Sequence, residues 1–596
     1  MFSEHFMHNP LGSSIGVFAP MFPSVNDRPA WAMIRESDRH EILEMAAFYR
    51  EKPYPLRLAT DFLAFVRNGS RKADENPYFF RRRKLCAAVL GYCAEPNDAD
   101  MDAIINGIWL ICEESSWVIS AHNVNPIPGA PAAAEYPLPD LAKPYIDLFV
   151  AQTAMILSLS CALLGEHLMP EVRSRVEHEL RVRVLDPFMA TDDFWWMGVR
   201  RSDMNNWTPW IISNLMLTAV HMHINHLPAM LERACIMLDR WLVCIPEDGG
   251  CDEGAGYWSM AGGALLNCLQ VLEHITNGQV TFWHDEKIRR ILSFPAKVRI
   301  TGDWFVNFAD CDAKPLVAGD VLQYAGEKLE DPALTAMGVE LRGNLAMELS
   351  DTPHLSRALF KLFHREAEST AIPDDRDTWL PDLQVRLVRR GGMVLCAKAG
   401  HNNDNHNHND VGSFMLYLDG ESAIVDAGNM VYTAKTFSAE RYTLWNVRAA
   451  YHNLPMIGRH EQQPGQQYAA RDVQCLPYGL ALDMANAYDD QAGITVCQRT
   501  LTLTEAGLVL QDRIELRDDQ PVTWVFMLRN KPEIGQGELI AGKLRLAYDH
   551  ELRAQVEELP ITDSRMSKSF PGSLWRVLLT GESNRQHVCQ FVVSRR

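Results

Sequence analysis

The residues of this chain best suited to chemistry stand together in His401-Asn402-Asn403-Asp404-Asn405-His406-Asn407-His408-Asn409-Asp410, where three imidazoles, five amides and two carboxylates occur without an apolar side chain. Imidazole is both a metal ligand and a proton-transfer group near neutral pH, so this block could ligate an ion, supply a base, or do both. His406 and His408 stand at i, i+2, a spacing that points both side chains the same way on an extended backbone. The block is framed by apolar runs, Met393-Val394-Leu395-Cys396-Ala397 before it and Ser413-Phe414-Met415-Leu416-Tyr417-Leu418 after it. Both read as buried strands, which would hold the polar block on a rigid frame.

Further polar clusters lie elsewhere. Val425-Asp426-Ala427-Gly428 and Ala450-Tyr451-His452-Asn453 could complete a His408, Asp426, His452 set, a mixed nitrogen and oxygen site that zinc accepts; ordinary hydrogen-bonded polar residues are the alternative. Pro246 to Trp258 is a glycine-rich acidic loop that delivers Tyr257 and Trp258 to a helix start. Its glycines could serve only a tight turn, and Asp252 or Glu253 could be helix-start carboxylates, but a tyrosine there can also give or take a proton. Arg201-Ser202-Asp203-Met204-Asn205-Asn206-Trp207 places two amides and an indole ahead of an apolar helix, where one Asn could be its cap. Glu113 to Asn123 ends a helix with Trp117, a flat surface for a sugar ring, and with His122 and Asn123 as hydrogen-bonding groups.

The elements that must position these groups change character along the chain. From about 28 to 365 the apolar spacing is helical, in about twelve segments near 30–50, 56–67, 79–93, 98–114, 142–165, 169–187, 206–224, 227–243, 257–275, 285–296, 315–326 and 333–364. Such segments suit successive antiparallel helical hairpins, which could close into a ring or continue as a solenoid. After Pro373-Asp374-Asp375 short alternating β runs take over, as at 385–388, 422–425, 495–501, 508–510, 522–526 and 588–593, and suggest an antiparallel sandwich. The expected organisation is a helical domain over 1–370 and a β-sandwich domain over 371–596.

Composition narrows the function classes. The 596 residues are 47% hydrophobic and only 22% charged, a well-packed globular composition large enough for two or more domains. A formal charge of -19 argues against a general nucleic-acid surface. Arg81-Arg82-Arg83-Lys84 and Arg200-Arg201 are local basic groups that could serve a confined anionic site, the first reading more readily as a solvated helix face. No signal-like start and no uninterrupted membrane-length apolar stretch is visible, and the 13 scattered cysteines read as reduced thiols, so a cytoplasmic address without membrane attachment is expected. A homodimer is compatible with this composition.

On the motifs Asn205-Asn206-Trp207, Asp252-Glu253-Gly254-Ala255-Gly256-Tyr257-Trp258, His406 to Phe414, Asp426-Ala427-Gly428 and His452-Asn453, in that order across a helix-to-sheet switch, the chain resembles the heparinase II/III-like polysaccharide lyases. The resemblance implies an incomplete (α/α) toroid followed by an antiparallel β-sandwich, and β-elimination on an acidic oligo- or polysaccharide. In it Asn206 would neutralise the uronate carboxylate, Tyr257 would be the acid and, for syn substrates, also the base, and His406 the second proton-transfer group. His408, Asp426 and His452 would hold one structural zinc ion. Trp117, His122, Asn123, Arg201, Asn205, Trp207, Glu253 and Trp258 would line the substrate path, between the two domains. Several relatives carry a histidine where this chain has Trp207, which leaves the stereochemistry open. A glycoside hydrolase using Asp252 and Glu253, or a carbohydrate-binding protein without activity, are the competing readings.

Overall fold

The computed structural model describes the chain except for residues 124–136, 369–370, 373–374 and 439. Pro373 and Asp374, which mark the expected change of period, lie outside the described residues. The chain forms two compact units. One comprises Met1–Ile245, Ser259–Asp285 and Ala318–Ala371; the other comprises Pro246–Trp258, Glu286–Val317 and Ile372–Arg596.

The first unit is helical. Helices Lys72–Ala94, Leu148–Leu164, Trp207–His221, Gly262–Ile275 and Gly319–Lys328 form an inner row in which each packs on the next, and Glu36–Arg50, Asp98–Cys112, Pro170–Leu180, Leu227–Cys244 and Pro332–Glu340 lie outside it. Inner helices are covered by neighbours over most of their surface, whereas outer helices bury one stripe. Leu148–Leu164 shows this most fully: Asp147 caps it by accepting from the Phe149 and Val150 amides, and nearly every residue after the cap is buried. With the turn that follows, Leu148–His167 has the length and composition to cross a membrane, and 83% of its apolar window is buried in the protein. Polar residues Gln152, Ser158 and Ser160 interrupt this helix, so the sequence reading, which looked for an uninterrupted apolar stretch, did not single it out.

The basic run of the helix Lys72–Ala94 is neither a solvated face nor an open anion site. Arg81, Arg82 and Lys84 are buried, and Glu114 receives Arg82 at 2.9 Å, Arg81 at 3.2 Å and Arg57 at 3.3 Å. Burial alone would push the Glu114 carboxyl up, but the guanidiniums, Arg82 foremost, hold it below its ordinary value.

The second unit is built on two antiparallel sheets. One has eight strands in the order 471–476, 479–483, 494–503, 508–520, 584–595, 544–547, 538–541 and 533–534. The other runs 553–560, 573–580, 522–528, 421–424, 414–418, 393–398, 385–390 and 378–380, with 455–457 added beside 522–528. Their inner faces meet in one core, to which Leu395, Phe414, Leu416, Trp524 and Phe526 come from one sheet and Leu482, Leu501, Leu510, Phe591 and Val593 from the other. The expected framing strands are present as Met393–Lys398 and Phe414–Leu418, paired antiparallel, so the polar block is the loop between neighbouring central strands.

Candidate active site

The loop 399–413 is fixed by buried polar contacts. Lys398 Nζ donates to Asp404 and Asp410, each at 2.8 Å, Arg499 donates to the Gly412 and Asn453 carbonyls, and Asn453 Nδ2 reaches the carbonyls of Phe414 and Val425. His406 has φ +57°, so the pair at 406 and 408 does not owe its geometry to an extended backbone. Both rings turn to one carboxylate instead. Asp310 Oδ2 accepts from His406 Nδ1 at 2.9 Å and Asp310 Oδ1 from His408 Nε2 at 3.0 Å, while Arg441 Nη2 donates to Oδ1 at 2.9 Å and to the His406 carbonyl at 2.8 Å. Asp310 is buried, which would raise its pKa, but the hydrogen bonds from His406 and His408, with Arg441 beside them, hold it well below the usual carboxylate range.

Tyr257, expected from the helical half, belongs to the same compact unit as His406. Its loop is pinned there by Asp248, whose Oδ2 accepts from the Asp382 and Leu383 amides, and by Trp258, whose indole donates to the Ile291 carbonyl. Gly254, at φ +83°, lets the loop press on Cys311, where a Cβ would come within 2.7 Å of the cysteine side chain; Gly428, at φ +65°, presses on the Cys311 carbonyl from another segment, 2.5 Å from where its own Cβ would be. The segment carrying Asp310 is thus gripped by two loops.

In this frame the Tyr257 ring lies 5.0 Å from the His406 ring, tilted by 32°. The Tyr257 hydroxyl is hydrogen-bonded to the Tyr432 hydroxyl, which also lies 3.3 Å from His406 Nδ1. Asn429 donates to the Tyr432 hydroxyl, and the Arg565 guanidinium, paired with Asp312, lies 5.3 Å from the Tyr432 ring. Burial first, then Tyr432 and Glu253, push the Tyr257 hydroxyl well above its ordinary value, so it carries its proton at neutral pH. Glu253 is only 2% exposed and faces His406, its Oε1 3.3 Å from Nε2; burial and the charges of Asp252 and Asp310 push it well above the usual carboxylate range.

His408, Asp426 and His452 converge, with ligand atoms all within 4.8 Å of one another and all three residues buried. His408 gives one nitrogen to Asp310 and His452 Nδ1 bonds Asp426 Oδ2 at 2.8 Å, which leaves His408 Nδ1 and His452 Nε2 as buried atoms without a hydrogen-bond partner. Two orphaned imidazole nitrogens beside a carboxylate fit a metal ion, and the carboxylates behind each ring set the tautomer a ligand requires.

In the helical unit, Asn205 Oδ1 accepts from the Trp207 amide while the Asn206 side chain makes no capping bond, so the expected cap contact falls to the first amide. Trp207 lies 4.7 Å from the His122 ring and 5.1 Å from Trp195, and Arg201 lies 4.9 Å from the Trp195 ring. His122 is tied to Asp147 at 2.8 Å, and Asn123 follows it, half-buried. Three expected substrate contacts are corrected. Trp117 is 1% exposed, donates to the Ile111 carbonyl and lies under Arg183, so it offers no open face. Trp258 is buried with its indole committed to Ile291, and Glu253 is enclosed against His406.

Asp310, Tyr432, Arg441 and Arg565 carry much of this arrangement and were not singled out in the sequence. Asp310 is 96 residues from His406, and Tyr432 stands 175 residues from Tyr257, so no local spacing announces them.

Residues 373–557 match the family described as heparinase II/III-like, C-terminal. No curated protein matches the chain by sequence. Among solved structures, a heparinase III is 10% identical with a TM-score of 0.62, covering 96% of this chain and 94% of its own. A heparan sulfate lyase from Pedobacter heparinus is 11% identical with a TM-score of 0.58, covering 95% and 92%. The chondroitin AC lyase of Streptomyces coelicolor A3, solved with chondroitin sulphate, is 12% identical with a TM-score of 0.53, covering 100% and 82%. The toroid-plus-sandwich fold is therefore shared over nearly the full chain.

Proposed function

We propose that this chain, whose residues 373–557 belong to the heparinase II/III-like C-terminal family, is a carbon-oxygen lyase that cleaves uronic-acid-containing glycans by β-elimination. The observation that carries this reading is the pairing of Tyr257 with His406, ring against ring and linked through the Tyr432 hydroxyl. Elimination needs a proton removed from C5 of the uronate and one delivered to the leaving oxygen at C4. Tyr257, which holds its proton, is suited to the delivery. With Asp310 accepting from Nδ1–H of His406, the lone pair of that ring lies at Nε2, beside Glu253 Oε1 at 3.3 Å, and takes up the C5 proton on the anti route once substrate displaces that carboxyl. The syn route would need Tyr257 to begin as a phenolate and act as base before acid, which the proton it holds disfavours, so the anti route is the one favoured. Tyr432 touches both residues, and so fixes the Tyr257 hydroxyl against the Nδ1 side of His406; the proton taken up at Nε2 leaves to solvent, and the phenolate regains one from solvent.

His408, Asp426 and His452 would hold one zinc ion, which when bound braces the loop that carries His406. The substrate class favoured is an acidic oligosaccharide of the glycosaminoglycan or alginate kind, in line with the heparan and chondroitin substrates named for the similar structures. A cytoplasmic setting is supported by all thirteen cysteines being unpaired.

The hydrolase reading is less favoured. Asp252 is engaged by the Asn405 amide and side chain, and Glu253 is enclosed against His406, which leaves no open carboxylate pair. A panel of uronic-acid polymers and oligosaccharides tests the proposal: elimination raises ultraviolet absorbance as the unsaturated uronate forms. New reducing ends without that absorbance would overturn it.

A further inference from the structure

The geometry points to a second ligand site, built wholly within the helical unit, that takes a sugar acid of one or two rings on Arg357. A cavity of about 330 Å³ opens among the inner helices, with Phe22, Asn267, Tyr324, Lys328 and Arg357 in its wall. Its volume lies at the small end of ordinary ligand pockets, room for a ligand of that size.

The wall carries one guanidinium that no carboxylate contacts. Arg357 is 6% exposed, yet among the described residues no carboxylate comes within 4.0 Å of it. Its guanidinium donates to the Ser259 carbonyl and its Nε is a buried atom without a partner. Glu348 and Asp320 act on it only from beyond ion-pair range, and Glu348 is the carboxylate nearest Lys361, at 3.9 Å. Three other buried guanidiniums are answered by a carboxylate in contact: Arg82 by Glu114, Arg57 by Asp74 and Arg499 by Asp512. A buried guanidinium with an unbonded N–H gains from a carboxylate that can reach it directly. Lys328 does not compete for it, being held by Glu273 at 2.8 Å.

The rest of the wall describes the body of the ligand. Phe22 and Tyr324 offer ring faces, and Asn267, 8% exposed and with no side-chain hydrogen bond among the described residues, offers a donor and an acceptor together. Aromatic faces with one amide and one guanidinium suit a hydroxylated ring bearing a carboxylate. The site is distinct from the Asn206 end of its unit. Leu217, also in the wall, stands ten residues beyond Trp207 on the same helix, about 15 Å along its axis.

Calorimetric titration of the full chain with glucuronate, with glucose as the uncharged probe, tests the site. We expect glucuronate to bind, glucose to bind at least tenfold more weakly, and both Arg357→Gln and Asn267→Leu to weaken glucuronate at least tenfold. Asn267→Leu keeps the test decisive if Arg357→Gln does not fold. Asn206→Ala and Tyr257→Phe are expected to leave this affinity unchanged, so the result stands or falls apart from the lyase reading. Absence of glucuronate binding, equal binding of glucose, or an affinity moved by Tyr257→Phe and not by Asn267→Leu would each overturn it.

Discussion

The hydroxyl of Tyr432 stands between two groups, bonded to the hydroxyl of Tyr257 and 3.3 Å from His406 Nδ1. Tyr432→Phe keeps the ring, and with it the packing against His406 at 5.7 Å, and removes only the link. We expect kcat to fall by about tenfold or more, with KM little changed, whereas Tyr257→Phe should lower it by about 10²- to 10⁴-fold, the range for a positioned proton-transfer group. Initial rates of absorbance gain measure both; a fully active Tyr432→Phe would remove the link from the mechanism.

Asp310 is a single carboxylate on which His406, His408 and Arg441 all depend. Asp310→Asn leaves a buried guanidinium without its anion, and we expect a loss of about 3–5 kcal/mol. Denaturant unfolding checks this. A loss below about 1 kcal/mol, the scale of an exposed pair, would show that Arg441 finds another partner.

The His408, Asp426, His452 cluster is expected to bring close to one zinc per chain through purification, by elemental analysis. Chelation should lower the midpoint of thermal unfolding and restoring zinc should return it. His452→Ala, which removes one of the two orphaned nitrogens, should abolish both the metal and the response to chelator. Undiminished stability in metal-free protein would count against the site.

His354 gives the helical unit a definite acid sensitivity. It is 2% exposed, and burial first, then Arg357 beside it, hold its pKa well below the ordinary value. In the unfolded chain the imidazole titrates near about 6.5, so below that pH the unfolded state binds a proton that the folded state does not. Stability therefore falls as pH drops below 6.5 and is unaffected by this group above it. Replacing His354 by Gln should flatten the acid limb of a stability-against-pH curve; an unchanged limb would assign the acid loss to other groups.

What was legible in the sequence was what periodicity and composition govern. The strands at 393–398 and 414–418 follow from apolar runs, and the helices Trp207–His221 and Leu227–Cys244 from their spacing and flanking turns. Tyr257, His406 and the ligand set were reached through motifs. Burial was not legible: Trp117 follows a helix end, as an exposed sugar platform would, but tertiary packing, with Arg183 over its ring, leaves it 1% exposed. Nor were partners contributed by distant segments. Asp310 lies in Phe308-Ala309-Asp310-Cys311-Asp312, which carries no mark of a residue that orients two histidines a hundred positions later.

The grip of Gly254 and Gly428 on the Cys311 segment also decides how the chain can be divided. The sheet unit is discontinuous in sequence, completed by Pro246–Trp258 and Glu286–Val317. A fragment beginning at residue 372 would contain every strand of both large sheets and still lack Asp310 and Tyr257, leaving Arg441 and both imidazoles without their shared carboxylate. The natural module for expression or transplantation is therefore not the one the change of period suggests: excision must carry the two inserted segments with it.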